Sequence, residues 1–272
     1  MDNKASKALP NLTLVDEALE ELDNLVGLAK IKEDVRKMVD LFRINSLRVS
    51  HGLRSISLPI RLVFCGNPGT GKTTVARILS KIYCGFGMLT NSRVVEVFYG
   101  DLVGEYVEQT ALKTQAKIDE ALGGILVVNS PYDLDCESLI TIQIAMRDHR
   151  DDLAMIFVGY KDQMEKFLRA NDAIACKFGA LLQFDDYTGE ELYQIFCSMC
   201  DRDSYKLTEG AQKRLRQHFE KVYAFRGEMF GNARVVRNIY EQTISKHGKR
   251  VCSIDNVTNE ELLSICEQDL DI

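Results

Sequence analysis

The sequence predicts an α/β domain with a five-stranded, mostly parallel sheet flanked by helices, followed by a small helical domain. Three observations support this prediction: five short apolar runs rich in branched and aromatic residues, helical periodicity in most of the gaps between them, and a change of pattern after residue 188. Strands that alternate with helices form parallel sheets covered on both faces. The expected domains are 1–188, which includes an N-terminal helical segment, and 189–272.

The predicted strands are short and apolar. A helical pattern follows the first of them, with apolar residues spaced to share one helix face before Gly85. The five strands are predicted at 61–65 (RLVFC), 94–98 (VVEVF), 125–129 (ILVVN), 154–160 (AMIFVGY) and 181–184 (LLQF).

The second domain is predicted to be helical throughout, without another buried strand. Thr188 is placed to cap its first helix, with Glu190 and Glu191 in the first turn, where acidic side chains stabilise the helix dipole. Amphipathic patterns predict two further helices at 211–223 and 233–248, and a last helix is expected from about Asn256.

Composition narrows the classes of partner and compartment. A net charge of -6 and a pI near 5.4 supply no basic field, so neither nucleic acid nor an anionic membrane is expected as a partner. No apolar run approaches the roughly 18 residues of a membrane span, and the start MDNKASKALPNL lacks the apolar centre of a signal peptide. We therefore expect a cytoplasmic protein, with an organelle interior such as the plastid stroma left open.

The cysteines suggest neither a disulfide framework nor a metal site. The chain has eight cysteines, scattered along its length. Cys197 and Cys200 form one C-x-x-C pattern within an amphipathic helix, but no second pair and no nearby histidine accompany it. Two neighbours on one helix face are the favoured interpretation, with a metal or redox site as the alternative.

The clearest motif is GNPGTGKT, Gly66 to Thr73, which fits the phosphate loop pattern G-x-x-x-x-G-K-[ST]. A predicted strand precedes it and an amphipathic helix follows it. Glycine turns there allow consecutive backbone N–H groups to face a phosphate at the positive end of a helix. Lys72 is expected to reach the β and γ phosphates, and Thr73 to offer its hydroxyl to Mg²⁺.

Six stretches of the chain form a set. They are LVGLAKIKEDV, FCGNPGTGKTTVAR, DLVGEYVEQTALKT, GGILVVNSPYDL, DDLAMIFVGYKDQM and FGNARVVRN. In order and spacing, these stretches resemble the AAA+ proteins of the CbbX/CfxQ/SpoVK type, a family that includes the red-type Rubisco activases. The resemblance covers the chain from about Leu25 to about Asn238.

The resemblance implies a nucleotide domain, a helical lid, ATP (or ADP) with Mg²⁺ bound between them, and hexameric rings that act on protein clients. Carried over to this chain, it places Val26 and Gly27 near the adenine and makes Arg234 the sensor 2 arginine of the lid. The remaining residues expected to bind the nucleotide are Asn67, Pro68, Gly69, Thr70, Gly71, Lys72, Thr73 and Thr74, with Thr73 as the metal ligand.

The hydrolytic residues of the family are changed. Family members read approximately GGVLFIDEAYYL at the third strand, and this chain has Asn129 and Ser130 in place of the Asp-Glu pair. An amide brings no negative charge to Mg²⁺, and a serine hydroxyl is too short and too weakly basic to activate water. Asp133 or Asp135 could substitute, although a turn and a helix cap are the favoured roles of these two residues.

Two further positions depart from the family. Lys177 stands where the resemblance places an arginine finger, whose contribution to the rate is on the order of 10³-fold. In the pore loop, Tyr106 and Val107 are kept, but Glu108 replaces a glycine. Each of these residues also has a plain interpretation: Lys177 as a solvated surface charge, Glu108 on an exposed loop, and Tyr106 as a partly buried tyrosine.

These patterns favour a hydrolysis-deficient AAA+ subunit that binds ATP and Mg²⁺ and works with a homologous competent subunit in a hexameric ring, or regulates a protein client. The alternative is an active ATPase that remodels a protein complex through a non-standard carboxylate. A small-molecule kinase would need an acidic acceptor site, and the sequence shows none with recognisable spacing. A scaffold that binds no nucleotide is a further alternative.

Overall fold

The computed structural model describes residues 10–56, 60–104 and 106–272, without the side chains of residues 107 and 108. By its internal contacts the chain forms two compact units. Of the described residues, unit 1 comprises those up to Gly66 and those within Gly71–Phe184, and unit 2 comprises Asn67–Thr70 and Asp185–Ile272. The tip of the phosphate loop thus clusters with unit 2, whereas both ends of that loop belong to unit 1.

Unit 1 contains a five-stranded sheet in the order β2-β3-β4-β1-β5, and all neighbouring strands are parallel. This confirms the predicted α/β fold, and each strand lies within one residue of its predicted bounds. Because the strands are parallel, their carboxyl ends meet at one edge, where open α/β sheets bind ligands. The strands are β1 (Arg61–Gly66), β2 (Val94–Val97), β3 (Ile125–Asn129), β4 (Ala154–Gly159) and β5 (Ala180–Phe184).

Two helices of unit 1 precede β1, and the others lie in the connections between successive strands. Among its described residues they are α1 (Leu12–Asp23), α2 (Ala29–Ser50), α3 (Lys72–Gly85), α4 (Tyr99–Leu102), α5 (Val107–Ala121), α6 (Cys136–Asp148), α7 (Lys161–Ala170) and α8 (Asp172–Ala175), with a 3₁₀ turn at Pro131–Asp133. No helix in the described chain is both long and apolar enough to cross a membrane.

The core of unit 1 is centred on the middle strands. Every residue of β4 is buried, and four of the five residues of β3 are buried. Aromatic side chains also pack between neighbouring strands, such as Phe64 of β1 against Phe184 of β5, with ring centroids 5.0 Å apart. Burial on both faces explains why these strands are continuous apolar runs without polar alternation.

Unit 2 is mainly helical, and the capping prediction at its start is confirmed. The Glu191 N–H donates to Thr188 Oγ1 over 3.3 Å, and the Thr188 N–H donates to Glu191 Oε2 over 2.7 Å. The helices of this unit are α9 (Gly189–Arg202), α10 (Glu209–Ala224), α11 (Ala233–Val251) and α12 (Asn259–Leu263), with a 3₁₀ turn at Glu267–Asp269.

Two details of unit 2 differ from the sequence prediction. A parallel ladder joins β6 (Lys206–Leu207) to β7 (Ser264–Ile265), although no further strand was expected. Two-residue strands are too short to show periodicity. The last helix begins at Asn259 after a Thr258 cap, rather than near Asn256, whose left-handed backbone (φ 61°) is incompatible with a helix interior.

Candidate functional site

The first part of the site, in unit 1, is the turn from β1 into α3. Gly66 ends the strand with φ 149°, and a Cβ atom at this position would lie 2.3 Å from the backbone oxygen of Phe184. Gly71 precedes the helix with φ 90°, in the left-handed region. The helix α3 extends over 14 residues, so its amino end carries a full helix dipole. Both glycines are therefore required by the path of the chain, and an anion-attracting helix end follows them.

Lys72 lies at the start of this helix and is half-buried. Its Nζ donates a hydrogen bond of 2.9 Å to the backbone oxygen of Gly66. The ammonium group is thus held over the loop that it follows.

The second part of the loop, Asn67–Thr70, packs within unit 2. Gly69 has φ 74°, and a Cβ atom there would lie 2.3 Å from the backbone oxygen of Gly231. The Ala233 N–H donates to the Gly69 oxygen over 3.2 Å. The first residue of α11 is therefore hydrogen-bonded to the tip of the phosphate loop.

Asn232 is the centre of these contacts in unit 2. It is fully buried and adopts φ 49°, ψ -125°, a conformation that favours glycine. Its Nδ2 donates to Asp186 Oδ1 over 2.8 Å and to the Pro68 oxygen over 3.3 Å, and its Oδ1 accepts the Tyr187 N–H over 2.9 Å. One amide thus joins the loop tip to residues 185–187 and to the start of α11.

Two neighbours strengthen this contact set. Asn67 Nδ2 also donates to Asp186 Oδ1, over 3.0 Å, so this carboxylate accepts from both asparagines. The Tyr187 hydroxyl donates to the Thr70 oxygen over 3.4 Å. Burial, followed by the nearby charge of Glu191, raises the pKa of Tyr187 to about 12, so its hydroxyl keeps its proton and remains a donor.

In unit 1, a carboxylate that the sequence analysis did not single out lies between two predicted site residues. Glu96, on β2, accepts a hydrogen bond at Oε1 from Thr73 Oγ1 over 3.1 Å. The same oxygen accepts from Asn129 Nδ2, also over 3.1 Å. A hydroxyl and a carboxylate are hard oxygen donors, which suit Mg²⁺. The residues present here therefore fit that cation.

Ser130 lies among neutral partners at the end of β3. Its backbone is left-handed (φ 49°), and its N–H donates to the Val158 oxygen over 2.8 Å. Its hydroxyl donates to the hydroxyl oxygen of Tyr132 over 3.3 Å, and that oxygen accepts the Tyr160 N–H over 3.4 Å. Neither hydroxyl is a base strong enough to take a proton from water at neutral pH.

The two downstream aspartates occupy the turn and the cap favoured by their sequence. Asp133 lies in the 3₁₀ turn and is exposed. Asp135 caps α6, with its Oδ1 accepting the Ser138 N–H over 2.8 Å. The structural role predicted for Asp135 is confirmed, and its carboxylate already has a partner at the helix end.

The remaining predicted site residues lie in or beside several helices. Lys177 follows α8, is half-buried, and its Nζ donates to the Gln143 oxygen over 3.2 Å, so it is not the fully solvated charge of the plain interpretation. Val26 and Gly27 form the turn before α2, and Gly27 has φ 63°. Thr74 is exposed in the first turn of α3, and Arg234 is exposed in the first turn of α11.

Tyr106 caps the amino end of α5, and 69% of its surface is exposed. The alternative of a partly buried tyrosine is therefore wrong. The side chains of Val107 and Glu108, also predicted for the pore loop, lie outside the described residues.

The cysteine pattern on α9 has the properties of ordinary buried thiols. Burial raises the pKa of Cys200 to about 12 and also raises the pKa of Cys197. Protonated thiols are poor metal ligands and poor nucleophiles. Within the described ranges, no group of three His, Cys, Asp or Glu residues is arranged to hold a metal ion.

Comparison with known proteins agrees with this geometry. Residues 62–129 match the model of the ATPase family associated with various cellular activities (AAA), and residues 188–272 match that of an AAA lid domain. Stage V sporulation protein K of Bacillus subtilis is 31% identical over 268 residues, covering 95% of this chain and 83% of that protein. The chain belongs to the CbbX/CfxQ/SpoVK family of AAA+ proteins. AAA+ proteins bind nucleotides, and their members typically oligomerise and act on protein substrates.

Other AAA+ relatives extend the comparison. The chloroplastic ribulose bisphosphate carboxylase/oxygenase activase of Cyanidioschyzon merolae is 33% identical over 270 residues, covering 95% of this chain and 92% of that protein. Among solved structures, a RuvB mutant of Thermotoga maritima matches with a TM-score of 0.58 at 16% identity, covering 89% of this chain and 70% of that one. The FIGL-1 AAA domain matches with a TM-score of 0.60 at 12% identity, covering 98% and 90%. At such identities these two structures show a shared AAA+ fold only.

Sequence reasoning missed Glu96 and the contacts of Asn232 and Asp186. A signal for the first was present, because Glu96 is the single charged residue in the run VVEVF. Asn232 lies within the GNAR stretch that indicated the lid, but only the structure shows its buried amide and its positive φ.

We predict that Asn232→Gly weakens ATP binding by roughly tenfold, because glycine accepts this backbone conformation while the hydrogen bonds to Asp186 and Pro68 are lost. Isothermal titration calorimetry with ATP measures the change. Asn256→Gly is the matched control, since Asn256 is exposed and also has a positive φ (61°). Wild-type affinity in Asn232→Gly would show that the side chain does not organise the loop.

Proposed function

We propose that this chain is an AAA+ protein that binds ATP with Mg²⁺ and hydrolyses it slowly or not at all. The observation that carries the proposal is the neutral pair Ser130 and Tyr132 at the end of β3, where the family resemblance places a catalytic glutamate. A water molecule next to bound ATP would meet two hydroxyl groups there instead of a carboxylate. General-base assistance contributes typically about 10²–10⁴-fold to rate, so its loss accounts for a large deficit.

Nucleotide binding is supported by the intact phosphate loop. Gly66, Gly69 and Gly71 allow the backbone to follow a path that a Cβ atom or a negative φ would prevent. Lys72 and the amino end of α3 supply the positive charge that a triphosphate needs. The proposed binding set remains Val26, Gly27, Asn67, Pro68, Gly69, Thr70, Gly71, Lys72, Thr73, Thr74 and Arg234.

We also propose that this chain contributes little to ATP hydrolysis in a neighbouring subunit. Lys177 keeps a positive charge at the arginine-finger position but lacks the planar fork that binds two phosphoryl oxygens at once. A ring made of this chain alone would therefore lack both the base and the arginine finger.

We propose a protein partner, either a competent homologous subunit in a mixed hexameric ring or a client regulated by the bound nucleotide. Relatives named as a Rubisco activase and as a sporulation protein support a protein target in general, without identifying it. Exposed Tyr106 at the start of α5 supports the proposed pore loop of Tyr106, Val107 and Glu108. We also propose the functional division 1–188 and 189–272, and a cytoplasmic or organelle-interior location.

The first test measures ATP binding and phosphate release on the same preparation. We expect ATP to bind at micromolar concentrations in the presence of Mg²⁺, with steady-state phosphate release indistinguishable from background. Lys72→Ala should abolish binding, because the β and γ phosphates lose their ammonium partner. Robust phosphate release that disappears in Lys72→Ala would contradict the proposal, and absence of binding in the wild type would favour a scaffold.

The second test restores the missing groups. Ser130→Glu combined with Lys177→Arg should raise phosphate release at least about tenfold, since a base and an arginine finger return together. Ser130→Gln with Lys177→Arg is the matched control, because glutamine has nearly the same shape without basicity. Equal rates in the two variants would show that the lost carboxylate is not the cause.

A direct comparison addresses the active ATPase with a substitute carboxylate. That alternative requires Asp133 or Asp135 to act as the base, and it expects either Asp133→Asn or Asp135→Asn to abolish wild-type phosphate release. The present proposal expects Asp133→Asn to leave ATP binding and background release unchanged, because this residue is exposed in a turn.

A further inference from the structure

We propose that Glu96 supplies the negative charge of the magnesium site, replacing the carboxylate that Asn129 cannot provide. The inference rests on the proposed binding of ATP with Mg²⁺ and goes further by assigning the anionic group. It concerns one oxygen, Glu96 Oε1, which lies 3.1 Å from both Thr73 Oγ1 and Asn129 Nδ2.

The position of Glu96 follows from the sheet. In the parallel register of β2 and β3, Glu96 pairs with Val127, two residues before Asn129. Its side chain is half-buried, between the buried residues Val95 and Val97. A carboxylate in this setting is held by its hydrogen bonds, so its oxygen has a defined position next to the threonine hydroxyl.

The hydroxyl of Thr73 can serve a cation and Glu96 together. A hydroxyl group has one proton and two lone pairs, so it can donate to the carboxylate and still offer a lone pair to Mg²⁺. The observed 3.1 Å hydrogen bond uses only the proton. Metal binding therefore does not require this contact to break.

The amide of Asn129 is oriented by two acceptors. Its Nδ2 donates to Glu96 Oε1 over 3.1 Å and to the Val97 oxygen over 3.3 Å, so the nitrogen and not the oxygen must face Glu96. An aspartate at this position would bring two carboxylates within hydrogen-bond distance, which is unfavourable without a cation. Asparagine instead stabilises the Glu96 carboxylate, and the cluster retains one negative charge for Mg²⁺.

With this assignment, the changes at Asn129 and Ser130 have different consequences. The change at Asn129 is compensated by Glu96, whereas the change at Ser130 brings only the phenol of Tyr132 into contact. The cluster keeps a charge for the metal and lacks a base for water. Such a site binds Mg²⁺ with ATP and leaves the bond between the phosphates intact.

The test measures the affinity of ATP by calorimetry with excess Mg²⁺ and with EDTA. For the wild type we expect Mg²⁺ to tighten ATP binding, and we call the ratio of the ATP affinity with Mg²⁺ to that with EDTA the magnesium gain. For Glu96→Gln we expect the magnesium gain to fall roughly tenfold, while the ATP affinity in EDTA is unchanged. Asp119→Asn, an exposed carboxylate on α5, is the matched control and should behave as the wild type. An unchanged magnesium gain in Glu96→Gln would overturn the assignment, as would equal losses of affinity with Mg²⁺ and with EDTA.

A charge exchange provides a second readout. Glu96→Gln with Asn129→Asp keeps one carboxylate and one amide but reverses their positions, so we expect it to recover the magnesium gain. Failure to recover would overturn the assignment of one shared charge. Absence of ATP binding in the wild type would overturn both the proposed function and this assignment, whereas sustained phosphate release by the wild type would contradict the proposed function alone.

Discussion

The parallel arrangement of β1 to β5 is the constraint on which the site depends. It brings the carboxyl ends of all five strands to one edge, so residues far apart in sequence become neighbours. Thr73 follows β1, Glu96 lies in β2 and Asn129 ends β3, and one carboxylate oxygen links the other two side chains. A central sheet buried on both faces fixes these distances, since close packing leaves the strands little freedom to slide.

Under the proposed function, the chain keeps the physical requirements for binding ATP and lacks those for hydrolysing it. Binding a triphosphate needs backbone shape and positive charge, and both persist in the glycines and in Lys72. Hydrolysing the triphosphate needs a base and an arginine finger, and Ser130 and Lys177 are poor substitutes for these two groups. A protein with only the first set is suited to using ATP as a structural or signalling ligand.

The tip of the phosphate loop adds a second constraint, within unit 2. The Asn232 amide is hydrogen-bonded to Asp186, Pro68, Phe230 and Tyr187, while its backbone adopts a conformation that costs free energy. A strained backbone conformation persists only where several surrounding contacts hold the residue in it. Residues 67–70 are therefore held by the same unit that carries Arg234.

The sequence was sufficient for the sheet, the phosphate loop and the Thr188 cap, because these depend on local patterns: apolar runs, glycine spacing and capping residues. It was insufficient for the ladder of β6 and β7, whose strands of two residues show no period. Glu96 stands out in the sequence as the charged residue of VVEVF, but its contacts with Thr73 and Asn129 could not be predicted, because they join segments distant in sequence. The sequence shows that position 129 lacks the aspartate of the family, but it does not show that Glu96, on the neighbouring strand, lies beside Asn129.

The most direct measurement follows the fate of ATP in a single turnover. The chain is mixed in excess over ATP with Mg²⁺, quenched in acid at successive times up to hours, and the nucleotides are separated by chromatography. The account predicts that the bound nucleotide is recovered as ATP. Conversion to ADP and phosphate within minutes would contradict it, because a site without a base would then be performing the reaction.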